Sequence, residues 1–197
     1  MFRKSIHCLL ITFFLLFAGT MFLAVADDDR HDGHDDDDHH YRYRERKREH
    51  RSASHYEERY LKKVNHPVYK EFCGDCHFAY QPELLPSASW KRILANLDDH
   101  FGEAVEIDDE SKRAISDYLT SNGAEKSSAK RAVKIMRSIG TQIPLRITEI
   151  KYIKDKHHEI ASDILNRESI GSLSNCSACH MTAENGIYDE DNVRIPK

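Results

Sequence analysis

Two stretches of this chain share one spelling, Cys73-Gly74-Asp75-Cys76-His77 and Cys176-Ser177-Ala178-Cys179-His180. Cys-x-x-Cys-His is the attachment signature of c-type haem. The chemistry accounts for each letter. The two thiols add across the two vinyl groups of one haem, and the adjacent histidine is held beneath the iron as proximal ligand. Two copies imply two covalently bound haem c groups and a redox protein. A chain that carries them must build its core around them, so the motifs constrain the fold as well as the chemistry. A zinc knuckle or a thioredoxin-like dithiol also uses Cys-x-x-Cys. These readings fit less well, because the two pairs are far apart and each has a histidine at the same next position. Of the five cysteines, the remaining one, Cys8, lies in an N-terminal apolar run. The body therefore has no thiol left for a separate disulfide.

The chain opens Met1-Phe2-Arg3-Lys4, then runs uncharged from Ser5 to Ala26 and ends that run Ala24-Val25-Ala26 before Asp27. A basic start, an apolar run and a small-residue cleavage site predict a signal peptide over 1–26 and export to the periplasm. The alternative is an uncleaved anchor, since crossing a bilayer takes about twenty apolar residues. Cleavage would remove Arg3 and Lys4 and no acid, moving the net charge from −4 to −6. A mildly acidic protein of this kind is not built to bind nucleic acid.

Residues 27–40 are almost entirely Asp and His, and 41–51 turn Arg-rich. Neither stretch has apolar residues to bury, so 27–59 is expected to be disordered. His31, His34, His39 and His40 among carboxylates have the make-up of a Cu(II), Ni(II) or Zn(II) site. A solvated tail is the preferred reading.

The folded part is expected over 60–197, as a single domain that is all-α with short loops. Trp90, Ile93, Leu94 and Leu97 share one helical face, after Pro86-Ser87-Ala88-Ser89 and before His100-Phe101-Gly102, with Gly102 as C-cap. Asp108 or Asp109 caps a second helix carrying Ala114, Ile115, Tyr118 and Leu119, closed by Asn122-Gly123. A third runs from Lys126 to Ile139 and stops at Gly140. Pro144 to Ile147 reads as extended, and Thr148 caps a fourth helix to about Leu165. The haems supply much of the core, so the apo-protein is expected to be unfolded or molten.

His77 and His180 are the proximal ligands. The distal ligands must come from elsewhere in the chain. Beyond the signal segment there are two methionines. Met181 adjoins its own motif and cannot reach round the same haem, and Met136 lies on an apolar helix face and reads as core. Histidine is better supplied, which favours bis-histidine irons of low potential. The candidates, in order, are His100, His157, His66 and His158. His157 and His158 are adjacent and point about 100° apart on a helix, so only one of them faces a haem. Spacing does not say which haem each serves. Tyr80, Trp90 and Phe101 are expected to pack on haem or core.

The run Tyr69-Lys70-Glu71-Phe72-Cys73-Gly74-Asp75-Cys76-His77, followed by Tyr80-Gln81-Pro82-Glu83-Leu84-Leu85-Pro86, Ser89-Trp90 and His100-Phe101-Gly102, resembles the bacterial di-haem cytochrome c family. Pro144-Leu145-Arg146-Ile147, Lys156-His157-His158-Glu159-Ile160, Asn175 to His180 and Val193-Arg194-Ile195-Pro196 continue the resemblance over about residues 64–197. It implies a periplasmic electron carrier with bis-histidine haems. The implied partners are a membrane cytochrome b561-type donor and an oxygen-binding haem protein, the sphaeroides haem protein. The family pattern has one histidine before the Glu-Ile of the fourth helix. That position is His157, and His158 is a departure, as is the charged leader. The competing function is a haem enzyme of peroxidase or reductase type, or a ligand sensor, with one open iron.

Overall fold

The structure, a computed structural model, describes residues 36–197, with side chains described from Arg42 onward. The expected signal peptide, the first part of the leader with His31 and His34, and the side chains of His39 and His40 lie outside this range. Among the described residues, no helix is long and apolar enough to cross a membrane. The chain divides between His40 and Tyr41. Of the first unit only the helical backbone of residues 36–40 is described.

Helix α1 spans Asp36–Arg59, and every residue from Arg42 to Arg59 is exposed. The expectation of disorder over 27–59 therefore does not hold for this part. Arg, Lys and Glu are good helix formers, and the helix needs no apolar face because it packs none. Its C-terminal end is pinned to the body. Arg59 Nη2 and Tyr60 Oη both reach Asp189 Oδ2 at 3.1 Å, and Leu61, 1% exposed, donates its N–H to Gly186 O. Gly186 has φ 77°, and a Cβ there would run into the Leu61 carbonyl.

Helix α2 (Pro67–Cys73) starts with Pro at its first position, where a missing N–H costs nothing, and ends on the first motif cysteine. A buried run, Gln81 to Pro86, follows the motif. In it Pro82–Leu84 form a 3-10 turn. Trp90 Nε1 donates to Pro82 O at 2.7 Å. The Glu83 carboxylate, 2% exposed, accepts from Lys62 N–H and Ser127 Oγ, which is what makes a buried acid tolerable here.

Helix α3 is Ser87–Leu94, and α4 is Asp109–Ser121, capped by Asp108 Oδ1 accepting from Glu110 and Ser111 N–H. Helix α5 is Lys130–Ile139, with Ala132, Ile135 and Ile139 inward and Gly140 ending it at φ 57°. Leu61, Leu85, Trp90, Leu94, Ile115, Leu119, Ile135 and Ile150 form the core with them.

Three expected helices are shorter than the sequence pattern suggested. The first stops at Leu94, and residues 97–99 wind as a 3-10 turn, leaving His100 on a loop where Phe101 (φ 62°) and Gly102 (φ 104°) are both left-handed. Gly102 therefore serves this loop and caps no helix. The fourth splits into α6 (Lys151–His157) and α7 (Ser162–Leu165). Its break follows from the two histidines, whose Nδ1–H groups take the carbonyls of Ile153 (2.8 Å) and Asp155 (2.7 Å) at the helix end. The third is preceded by a separate 3-10 turn at Ala124–Lys126. No strands occur among the described residues. The only ladder pairings there are isolated bridges, His100 with Glu103 and His180 with Val193.

Candidate haem-binding sites

The first motif begins on the last residue of α2. The chain then turns at Gly74, where a Cβ would meet the Lys70 carbonyl. His77 emerges half-buried, with its Nδ1–H held by Phe78 O at 2.9 Å and the ring of Tyr80 stacked on it at 4.5 Å. With Nδ1 protonated and occupied, Nε2 carries the free lone pair, which is the arrangement that metal-bound histidines adopt. Facing it is His100, its ring centre 6.5 Å from that of His77. The backbone bridge to Glu103 fixes the loop that presents His100.

The second motif winds as a 3-10 turn over Cys176–Ala178, and its histidine is bridged to Val193 in the C-terminal segment. The ring centres of His180 and His157 lie 6.0 Å apart. His157 ends α6 with its Nδ1 bound to Ile153 O, again leaving Nε2 free. Tyr188 packs its ring against His180 at 5.3 Å.

These two spacings are informative. An imidazole nitrogen binds a metal at about 2 Å and sits about 1 Å from its ring centre, so two histidines on opposite sides of one iron have ring centres about 6 Å apart. Both pairs match. His66 and His158 are placed otherwise. His66 Nδ1 accepts from Tyr69 N–H as the N-cap of α2, and its ring stacks on Tyr118. His158 is exposed and lies beside Glu159 at 3.8 Å.

Around the second pair is a cavity of about 780 Å³, within the range of roughly 300–1,000 Å³ typical of cofactor sites. Ile153, Ile160, Leu173 and Val193 give it apolar walls, and Cys176 and Cys179 open into it. Four cations, Arg59, Arg131, Lys134 and Lys156, and four acids, Glu159, Asp189, Glu190 and Asp191, also line it. Burial pushes the His180 imidazole down to about 4, helped by His157 and Arg131, so the ring is neutral near pH 7 and able to ligate. Burial, then His77 and Arg146, lowers His100 in the same direction. Burial also pushes the thiols of Cys73 and Cys176 up to about 11. All four motif cysteines are unpaired thiols.

The family model for dihaem cytochrome c matches residues 69–188, which spans both motifs and all four facing histidines. This chain belongs to the dihaem cytochrome c family. A dihaem cytochrome c from Rhodobacter sphaeroides is similar in structure, with a TM-score of 0.57 at 40% identity, covering 65% of this chain and 100% of that one. A dihaem cytochrome c from Shewanella baltica OS155 gives a TM-score of 0.54 at 37% identity, covering 66% of this chain and 91% of that one. No curated protein matches. As a dihaem cytochrome c the chain carries two haem c groups, and its role is to carry electrons on haem iron.

The residues fit those groups. The four thiols are free, the histidine pairs have the spacing that two ligands of one iron would need, and the cavity beside the second motif has apolar walls on part of its surface and is large enough. One further sign is His180 Nδ1, which is buried and has no hydrogen-bond partner in the protein. Such orphans are rare in folded proteins, and this one belongs to a ring that faces a second imidazole. Of the aromatic residues expected on haem or core, Trp90 is buried and Tyr80 lies on His77. Phe101 is not in the core. It is 43% exposed, lying between the His100 ring and the Arg146 guanidinium, which sits 4.0 Å over it. Sequence reasoning gave no role to Tyr188, to the buried Gln81 that accepts from its hydroxyl, or to Arg131 over its ring. No local pattern marks them, because their partners are distant in sequence.

Proposed function

We propose that this dihaem cytochrome c is a periplasmic electron carrier with two six-coordinate irons, His77 and His100 binding one and His180 and His157 the other. The observation that carries this reading is the pairing itself: each motif histidine has a second imidazole facing it at the distance two trans ligands require. Haem iron supplies the chemistry when bound, a one-electron change between ferric and ferrous. The chain's residues do the rest. His77 and His157 are fixed by hydrogen bonds from Nδ1 to backbone carbonyls, which set their ring planes and tautomers and would leave Nε2 to hold the iron. Ile153, Ile160, Leu173 and Val193 give the second cavity apolar surface against which a haem would pack. Small reorganisation is what fast electron transfer needs, and it follows from ligands that are already held.

A haem enzyme or ligand sensor needs an iron with one free position and a placed acid or base beside it. The facing histidines argue against a free position at either site. On the family resemblance, the electrons come from a membrane cytochrome b561-type donor and pass to an oxygen-binding haem protein. The sequence of residues 1–26 supports delivery to the periplasm.

The test is the reduced absorption spectrum of the purified holoprotein with and without carbon monoxide. Two haems per chain and an unchanged spectrum are expected. Carbon monoxide binding at one haem would overturn the six-coordinate reading and favour the enzyme or sensor.

A further inference from the structure

The two histidine pairs differ in the angle between their rings. His77 and His100 are inclined by 30°, and His157 and His180 by 74°. Each motif histidine also leans on a tyrosine, and the tyrosines mirror this difference. Tyr80 lies nearly flat on His77, at 4.5 Å and 21°, whereas Tyr188 meets His180 edge-on, at 5.3 Å and 64°.

The two tyrosines are joined through one residue. Gln81, next to Tyr80 in the chain, is fully buried. Its Oε1 accepts from Tyr188 Oη at 2.6 Å and its Nε2 donates to Ala183 O at 2.7 Å. Tyr80 is itself held at both ends, its hydroxyl donating to Ser174 O at 2.6 Å and its carbonyl accepting from Tyr69 Oη at 2.9 Å. Tyr188 is fixed from behind, Arg131 donating to its carbonyl at 3.0 Å with the guanidinium over its ring at 5.1 Å. A continuous line of packed and hydrogen-bonded groups thus runs from the His77 ring through Tyr80, Gln81 and Tyr188 to the His180 ring. His180 needs this support more than His77 does, because its own Nδ1 has no partner to fix the ring.

We propose that Tyr80, Gln81 and Tyr188 form one positioning unit. It sets the planes of the two motif histidines differently, close to parallel with the facing ring at the first iron and close to perpendicular at the second. The two haems are thereby electronically distinct although their ligands are the same. The physical basis is that axial imidazole planes direct the π-interaction with the iron d-orbitals. Near-parallel planes split those orbitals strongly and near-perpendicular planes leave them close in energy. Outer groups that orient a ligand tune a metal in the same way as the ligand itself.

The inference rests on the bis-histidine reading, and one experiment separates the two. Low-temperature electron paramagnetic resonance of the oxidised holoprotein is expected to show two low-spin signals, one rhombic and one highly anisotropic. In Tyr188→Phe the ring stays against His180 but its bond to Gln81 is gone. The anisotropic signal should shift while the rhombic one stays. In Gln81→Met, which removes both polar ends at similar volume, both signals should shift, because the Tyr80 segment loses its anchor to the second half. Tyr188→Phe leaves a buried amide oxygen unpaired and so risks stability; the double variant Tyr188→Phe/Gln81→Met removes both partners, restores stability and should keep the shifted signals. Two low-spin signals of one shape in the wild type, or distinct signals that neither variant moves, would overturn the proposal. A high-spin signal in the wild type would sink the ligation reading, and the proposal with it.

Discussion

The first haem motif closes a short helix near the surface, and its facing histidine sits on a loop with two consecutive left-handed residues, Phe101 and Gly102. The second lies in a walled cavity, and its facing histidine ends helix α6. Cys76 is exposed, whereas Cys176 and Cys179 are half-buried. Near the first stand Asp75 inside the motif, Asp99 beside His100 and Glu103 bridged to it, together with the Arg146 guanidinium close to His100. Cations and acids in equal number line the second, and two of the cations are paired there, Arg59 with Asp189 and Lys156 with Glu190. The same five-residue motif is thus placed in two settings that differ in enclosure, and the setting, not the motif, distinguishes the two irons.

The strongest way to break this comparison is to remove one haem at a time. Replacing Cys176 and Cys179 by Ala should leave one haem per chain and empty the cavity between α5, α6 and the C-terminal segment. The loss of stability should exceed the ~3–5 kcal/mol of a single large core truncation, read as a collapsed melting transition in circular dichroism. Replacing Cys73 and Cys76 by Ala should also leave one haem but keep most of the helical signal, because α3 packs on α4 and both share one core with α5 without it. Equal losses in the two variants would mean that the haems contribute alike to the fold.

The potentials sharpen the same contrast. With neutral ligands a ferric haem carries one more positive charge than a ferrous one. Burial disfavours that charge, so the more enclosed second haem should be the easier to reduce. A spectroelectrochemical titration should resolve two steps, with the upper one lowered selectively in Lys134→Gln. A single step, or the reverse order, would remove the electrostatic distinction.

How much of this was legible in the chain depends on the range of the chemistry. The motif cysteines and histidines were legible because their signature is local. Helix α4 was legible too, since Asp108 and the apolar spacing Ile115 to Leu119 both lie within one element. The histidine pairing was not, because His77 and His100 meet only through the loop that follows α3. That loop was itself misread as helix, since Leu97 continues the apolar spacing while the backbone has already turned. Helical geometry said only that one of His157 and His158 faces a haem, and the resemblance placed His157 in the family pattern. The early stop of α6 was hidden, because it comes from side chains bonding to carbonyls. Helix α1 was missed because composition reports the lack of a core, and an exposed helix of Arg, Lys and Glu needs none.

Two glycines give a finer test. Gly186→Ala forces a Cβ onto the Leu61 carbonyl at φ 77° and should cost about 2 kcal/mol or more. Gly102→Ala, at φ 104° with open space around it, should cost about 1 kcal/mol. Chemical denaturation measures both. If the two substitutions cost the same, the second region is not the tighter one.

The smallest effect concerns acid. The bonds with Ser111 hold the Asp108 carboxyl below the usual carboxylate range. A depressed folded value means that this contribution to stability is present above the unfolded pKa of about 3.9, and fades as pH falls through the lower folded value. Asp108→Asn keeps an N-cap of similar quality without the titration. The variant's stability should therefore fall less steeply than the wild type's below about pH 4, the two curves converging at the acid end. Helix α4 packs on α2, which carries Cys73. Any acid-induced loosening should then appear first in the spectrum of the first haem, and its appearance in the second would argue that the two regions do not respond separately.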